Sequence, residues 1–402
     1  MTQEISQADL PTIRLMPKAN ARAIRHGSPW VFDNELVTDR RTKALAAGTI
    51  ARLEDAERKF LGTVAVNPNS RIFARMLERD ESVVINRAWL VAKLKMALDH
   101  RTRLFDKPFY RLVHAEADGL PGVVIDRFGD VAVIQPNAAW AEAMIEDIAA
   151  ALAVATDVKA IVKNGTGRSR SLEGLPEETV VLKGEITGPI PVLMNGATYM
   201  ADILGGQKTG LFYDQRPNHA FVQGLVKDQK VLDVFSHVGG FALAALAGGA
   251  KSAISVDSSQ PALDLAELGA KAMKAGTTFA TRKGDAFDTM AALETERRKF
   301  GVVVCDPPAF APSKPALEKG LRAYERVARM SSVLVEEGGY LVLCSCSHAA
   351  DLDAFRTACI RGIGRAGRTA QLIYTGFAGA DHPLMPQLAE SGYLKALVFR
   401  ML

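Results

Sequence analysis

Short apolar runs broken by glycine and proline occupy the chain from Ile13 to about Arg75. TIRLM, the alternation GTIARLED and FLGTVAVN read as strands, with Gly27, Gly48, Gly62 and Asn67-Pro68-Asn69 between them. The pattern predicts a small β-rich domain over residues 11–78, preceded by a polar stretch expected to fray. Over residues 83–106 the period changes. Val84, Trp89, Val91, Leu94, Leu98 and Leu104 recur at helical spacing with Arg and Lys between them, as in an amphipathic helix. RLVHAEADGLPGVVIDRFGDVAVIQP returns to strands, with hairpin signals at Asp118-Gly119 and Gly129-Asp130. A second helix over about 138–155, the strand AIVKN and the glycine-rich turn NGTGRSRSLEG complete a middle α/β domain, residues 79–190.

From residue 191 to 402 strands alternate with helices. VLDVF (231–235), SAISVD (252–257), VVVCD (302–306) and YLVLCSC (340–346) are apolar, β-branched runs. FALAALA is a helix stopped by Gly248-Gly249, Pro261 opens another that ends near Gly276, and a third is expected over 317–335. This alternation predicts an α/β fold with a Rossmann-like doubly wound parallel sheet. Such sheets bind ligands at the carboxyl ends of their strands.

The strand ends carry the chemistry. The first runs Asp233, Val234, Phe235, Ser236, His237, Val238, Gly239, Gly240. The two glycines allow close backbone approach and a tight helix start, but the dinucleotide pattern G-x-G-x-x-G is missing. A ligand without a pyrophosphate, built from an amino-acid end and an adenosine, fits better; S-adenosylmethionine has that form. Asp233 can face its cationic part. Asp257, followed by Ser258, is placed for ribose hydroxyls, and Asp285, followed by Ala286, for an adenine amino group. One such acid is commonplace as a helix cap; three at successive strand ends are not.

Two further strand ends concern reactivity. Asp306 opens Asp-Pro-Pro, with Ala309 between the second proline and Phe310, so the usual Asp-Pro-Pro-aromatic order is displaced. Cys344 and Cys346 share a strand face, Cys346 nearer the open end and close in sequence to His348. Pyrimidine C5 is a weak nucleophile until a thiolate adds to C6, and that route needs a cysteine, an acid and a methyl donor at one sheet edge. Asp306 and Cys346 supply the first two. Cys305, Cys344 and Cys359 read as small buried hydrophobes.

Composition narrows the class. The 402 residues carry 49 Lys+Arg against 45 Asp+Glu, a net charge of +4 that permits a polyanionic partner without demanding one. Arg14, Lys18, Arg22, Arg25 and His26 precede Trp30 and Phe32, a mix of cations and aromatics suited to RNA or, equally, to a solvated face over a core Trp. No apolar leader and no run of ~18–20 apolar residues is visible, no metal-ligand spacing occurs, and the four cysteines form no disulfide framework, so a cytoplasmic protein without metal or membrane partner is expected.

The chain resembles the bacterial 23S rRNA large-subunit methyltransferases of the cytosine-C5 type that carry an N-terminal PUA domain. The resemblance lies in the stretch His26 to Phe32, EADGLPGVVIDRFGD (116–130), KTGLFYDQRPNH (208–219), DVFSHVGGFALAALAGGA, CDPPAFAPSK, CSCSH and GADHP (379–383). It implies S-adenosylmethionine as cofactor and 23S rRNA or a large-subunit assembly intermediate as partner, and leaves room for a homodimer. It also implies that Asp233, Phe235, Ser236, Gly239, Asp257, Ser258, Asp285, Ala286 and Asp306 serve the cofactor, that Asp306 and Cys346 are catalytic, and that Gln215, Arg216, Arg22 and Arg25 meet RNA. Pro307-Pro308 stands where many RNA cytosine-C5 enzymes have Pro-Cys, so the base that removes the C5 proton is unassigned. Guanine-nitrogen methylation without an adduct and a noncatalytic assembly factor are the competing readings.

Overall fold

The computed structural model describes residues 10–205, 210–388 and 391–402; residues 1–9 and, within the 208–219 stretch, Lys208 and Thr209 lie outside them. Tertiary contacts divide the chain into two compact units, 1–187 with 381–391 and 188–380 with 392–402.

The first unit holds two five-stranded sheets. One is built from β1 (Thr12–Arg14), β2 (Trp30–Phe32), β3 (Ile50–Glu54), β4 (Phe60–Val66) and β5 (Ile72–Glu78) in the order β1-β3-β4-β5-β2, with short helices α1 (Ala21–Arg25) and α2 (Arg40–Lys43). Ile13, Val31, Leu53, Val64 and Phe73 fill its core. Helix α3 (Arg87–Leu104) follows, capped by the Asn86 side chain, which accepts from Trp89 N. The second sheet runs β10-β9-β8-β7-β6, from β6 (Phe109–His114), β7 (Val123–Phe128), β8 (Val131–Pro136), β9 (Ala160–Asn164) and β10 (Thr179–Lys183). Trp89 and Leu94 of α3 share its core with Trp140, Ile148 and Leu152.

Three sequence expectations change here. The helix expected over 138–155 is two, α4 (Ala139–Ala143) and α5 (Ile145–Thr156), because Met144 leaves helical geometry at φ −104° and ψ 18°. The turn 165–174 contains α6 (Arg168–Leu172). Gly129-Asp130 does turn the β7–β8 hairpin, whereas Asp118 ends a 3-10 turn and receives two hydrogen bonds from the buried Arg101 guanidinium at 2.6 and 2.7 Å. A fully buried arginine requires such a fork, and that requirement fixes Asp118 rather than hairpin geometry.

The second unit opens with the hairpin β11 (Ile190–Met194) and β12 (Ala197–Ala201) and with α7 (Arg216–Gln223). Seven strands follow: β13 (Lys230–Val234), β14 (Ser252–Asp257), β15 (Phe279–Lys283), β16 (Phe300–Cys305), β17 (Val335–Ser345), β18 (Ala370–Gly376) and β19 (Lys395–Met401). Their order is β15-β14-β13-β16-β17-β19-β18, parallel except for β19, which runs antiparallel to both neighbours. The crossovers are α8 (Gly240–Ala247), α9 (Gln260–Ala272), α10 (Ala286–Thr295), α11 (Leu317–Ser332) and α12 (Leu352–Arg365). Val231, Val302 and Val342 pack one sheet face against α7 and α8, while Leu232, Val303 and Leu341 pack the other against α10 to α12. Two-sided burial explains why these strands read as continuous apolar runs. The fold is the doubly wound α/β arrangement expected from the sequence. Among the described residues no helix is long and apolar enough to cross a membrane.

Candidate active site

Asp233, Asp257, Asp285, Asp306 and Cys346 stand at or just past the carboxyl ends of β13, β14, β15, β16 and β17, five neighbouring strands of one sheet. The chain order of these residues is therefore converted into a row across the sheet edge, with β13 at the topological switch point.

Asp233 is buried. Its Oδ2 accepts from the backbone N–H of Phe241 at 3.1 Å and of Ala242 at 2.9 Å, the first turn of α8. Its Oδ1 is buried without a donor among the described residues, and so is Ser236 Oγ. Burial pushes the Asp233 carboxyl up to about 8, and the carboxylates of Asp306 and Asp257 add to the rise. An orphaned carboxylate oxygen of this kind complements a cationic amino group, so the residues present fit the amino-acid end of S-adenosylmethionine.

The loop after β13 is conformationally unusual. Phe235 (φ 64°), His237 (φ 49°) and Gly239 (φ 79°) all take left-handed backbone. Two of these three are not glycine, which is a marked cost held by the surrounding structure. At Gly239 a side chain would also meet Ala266 Cβ at 3.1 Å. His219 of α7 fills the space beside Gly240, where its Nε2 would lie 3.1 Å from an added Cβ. Burial holds that imidazole down to about 3, with Arg216 contributing, so it is neutral at physiological pH.

Asp257 accepts from His237 N at 2.8 Å through Oδ2 and from Ser259 N at 2.9 Å through Oδ1, tying the ends of β13 and β14 together. Ser258 beside it is exposed. Asp285 caps α10 by accepting from Phe287 N and Asp288 N at 2.8 and 3.1 Å, and Ala286 is buried as the first residue of that helix. The Phe235 ring lies between those of Phe287, 6.4 Å away, and Phe310, 6.3 Å away. Phe310 thus reaches the site in spite of the intervening Ala309. Phe287 was not singled out from the sequence, and Phe310 was named only as displaced from the usual order; their positions just after Asp285 and after the Pro-Pro pair are the local signal.

At the reactive end, Cys346 Sγ lies 3.9 Å from the Pro307 carbonyl oxygen, which brings the β16 and β17 loops together. A buried hydroxyl cluster fastens them. Tyr324 of α11 has its OH 2.6 Å from Ser347 Oγ and accepts from Ser345 Oγ at 2.9 Å, while Ala311 N donates to Ser347 Oγ at 2.9 Å. Lys395, at the start of β19, donates to the carbonyls of Ser347 and Ala350, both at 2.7 Å, so the loop after Cys346 wraps a buried ammonium. His348 on that loop is exposed. Cys305 is pushed up to about 12 by burial, and burial raises Cys344 and Cys359 well above the ordinary thiol range. All three are buried; Cys346 alone of the four is partly exposed. The structure therefore separates the one partly accessible cysteine from the three packing cysteines.

Gln215 is buried with its Nε2 donating to Asp306 Oδ2 at 2.9 Å. The backbone carbonyl of Arg216 accepts from Asn195 Nδ2 at 2.9 Å, and its guanidinium sits 5.4 Å from the Tyr213 ring. In the first unit Arg22 is exposed on α1, while Arg25 is engaged in an ion pair with the buried Asp55. Arg25 thus has a partner that the sequence did not show, because Asp55 lies elsewhere in the chain.

Similarity to known proteins agrees with this geometry. Residues 13–79 match a PUA-like domain and residues 144–400 an S-adenosylmethionine-dependent methyltransferase. Ribosomal RNA large subunit methyltransferase I of Citrobacter koseri is 33% identical over 401 residues, covering 97% of this chain and 100% of that protein. The protein of the same name from Vibrio vulnificus is 34% identical, covering 96% and 98%. A protein from Streptococcus mutans, solved as a candidate SAM-dependent methyltransferase, has the same fold at TM-score 0.80 and 19% identity, over 97% of this chain and 100% of that one. A related structure, determined with SAH, aligns at TM-score 0.81 and 19% identity over the same shares. The chain belongs to the ribosomal RNA large subunit methyltransferase I family, S-adenosylmethionine-dependent methyltransferases with a PUA-like domain.

Proposed function

We propose that this protein methylates C5 of a cytosine in 23S rRNA through a covalent adduct between Cys346 and C6 of the base. The observation that carries the reading is the juxtaposition of the one partly exposed cysteine with the Asp306 loop, at the two strand ends next to the acids that suit the cofactor. When bound, S-adenosylmethionine supplies an electrophilic methyl group. Asp233 and Ser236 hold its amino-acid end, Asp257 and Ser258 its ribose, and Asp285, Ala286 and the Phe235 ring its adenine.

Cys346, as thiolate, forms a bond to C6, and the C5–C6 π pair becomes an enamine with C5 as the nucleophile. Asp306 accepts hydrogen bonds from the base edge and holds it in plane during that addition. After C5 has gained its methyl group, loss of the C5 proton re-forms the double bond and expels the Cys346 thiolate, so the enzyme is unchanged. The hydroxyl cluster on Tyr324 keeps the two loops in register throughout, and the ammonium of Lys395 holds the loop after Cys346.

The division into residues 11–78, 79–190 and 191–402 is part of the same reading. The first two segments would engage RNA by phosphate and shape contacts, with Arg22 and Arg25 as contributors from the first, and the base would be taken out of its stack to reach the third, where Gln215 and Arg216 would meet it. The test is mass mapping of 23S rRNA nucleotides with wild type and with Cys346→Ala. Loss of one methylcytosine in the variant, with cofactor binding intact, is expected. Full methylation by the variant, or a methyl group on a guanine nitrogen, would favour direct transfer without an adduct, and rRNA modified identically with and without the wild-type protein would favour an assembly factor.

A further inference from the structure

The hydrogen bonds around Gln215 have a fixed direction. The Phe377 carbonyl oxygen can only accept, and Asn218 Nδ2 lies 3.2 Å from it. The same amino group donates to Gln215 Oε1 at 2.7 Å, which leaves Gln215 Nε2 to donate to Asp306 Oδ2 at 2.9 Å. Tyr374 OH completes the row by donating to Asn218 Oδ1 at 3.4 Å. Turning the Asn218 amide over would set two acceptors against each other at Phe377. Turning Gln215 over would set its oxygen against the Asp306 carboxylate. Only one polarity satisfies every atom. Gln215 and Asn218 are 4% and 1% exposed, so water does not readily replace these partners.

We infer that Gln215, oriented by Asn218, is a positioning residue that locks Asp306 as a hydrogen-bond acceptor, and that this lock selects a base edge offering a donor at the exocyclic position. The inference rests on the reading of Asp306 as the group that contacts the base. A carboxylate so fixed accepts from the amino group of cytosine and repels the O4 oxygen of uracil. The electrostatics give the lock something to do. Asp233 from β13, Cys344 from β17 and Cys305 on its own strand are acidic groups that face Asp306. Each opposes a second negative charge at the sheet edge; the Gln215 amide is a neutral donor that favours it.

Gln215→Met keeps the length and removes the donor. With full-length protein, saturating S-adenosylmethionine and an rRNA fragment carrying cytosine or uracil at the target position, rates are measured from about pH 5 to pH 9. Cytosine methylation should fall about tenfold or more, the acidic limb of the pH profile should move up by about one unit, and the preference over uracil should shrink. Affinity for S-adenosylmethionine should change by less than about twofold. If this variant folds poorly, Asn218→Ala, which leaves the Gln215 and Asp306 atoms in place, should move the same limb in the same direction by less. An unmoved limb with unchanged discrimination, or a loss uniform across pH, would overturn the inference. With the cofactor saturating, cytosine-over-uracil discrimination reports the edge facing Asp306 whether or not Cys346 forms an adduct, so failure of the adduct in its own test stays separate from failure here.

Discussion

Asp233 gives cofactor binding a proton-linked signature. Burial is the main reason that its carboxyl is pushed up to about 8 in the free protein, with Asp306 and Asp257 adding repulsion. A cationic amino group placed at the orphaned Oδ1 binds the ionised form, so binding must expel the proton that the free protein holds there. With a value of about 8, the ionised fraction rises from ~1% at pH 6 to ~9% at pH 7, and the apparent affinity for S-adenosylmethionine should rise about ninefold over that interval. Near the upper end the cofactor's own amino group, ordinarily titrating at about 8, loses its charge and the rise flattens. Isothermal titration calorimetry at about pH 6.5, in two buffers of different ionisation enthalpy, should show nearly one proton released per cofactor bound. Asp233→Asn should bind more weakly and release none. A flat affinity between pH 6 and pH 7 with no proton release from the wild type would refute the assignment of Asp233 to the cation.

Other outcomes follow from the same groups. Because the folded value for Asp233 lies above its unfolded value near 3.8, the native state holds an extra proton between the two; below about pH 6.5 this is offset by His219, neutral when folded and charged when unfolded, so the net fall in stability lies between about pH 6.5 and 8. The cofactor-free protein should therefore melt at a lower temperature at about pH 8 than at about pH 6.5, and saturating cofactor should reduce the difference, both measurable by calorimetry. Tyr324→Phe removes a hydroxyl that bonds to Ser345 and Ser347; it should cost about 1–3 kcal/mol in denaturant melts and lower kcat more than cofactor affinity. Gly239→Ala, at φ 79° and with Ala266 Cβ 3.1 Å away, should destabilise by about 1–2 kcal/mol and weaken cofactor binding in the same titration.

The row of strand-end acids was legible because a doubly wound sheet turns sequence order into spatial order. Asp257 and Asp306 end apolar runs, Asp233 lies within one, Asp285 follows the more polar β15, and the topology places them side by side. Cys346 was separable from Cys344 only by its place nearer the open end of the strand, and the two differ in burial accordingly. What escaped the sequence is carried by long-range partners. Gln215 and Asp306 are 91 residues apart, and nothing local says that a glutamine before a helix will face a carboxylate. Tyr324 reads as one more apolar position of an amphipathic helix until its hydroxyl is seen between two serines of another strand end. Arg25 looks like a free surface cation beside Arg22, yet a buried aspartate claims it. The late motif GADHP straddles the boundary at which the chain leaves one compact unit for the other, with Asp381 and His382 packed in the first, a division that no local periodicity announces.

The bond between Cys346 and the base tests the central claim most directly. An rRNA fragment with 5-fluorocytosine at the target position cannot lose a proton from C5, so the enzyme cannot be released after methyl transfer. With S-adenosylmethionine present, the account predicts a denaturation-resistant protein–RNA adduct whose digest carries the methylated fluorocytosine on the peptide containing Cys346. Recovery of free Cys346 and unlinked RNA, together with undiminished methylation of normal RNA by Cys346→Ala, would contradict it.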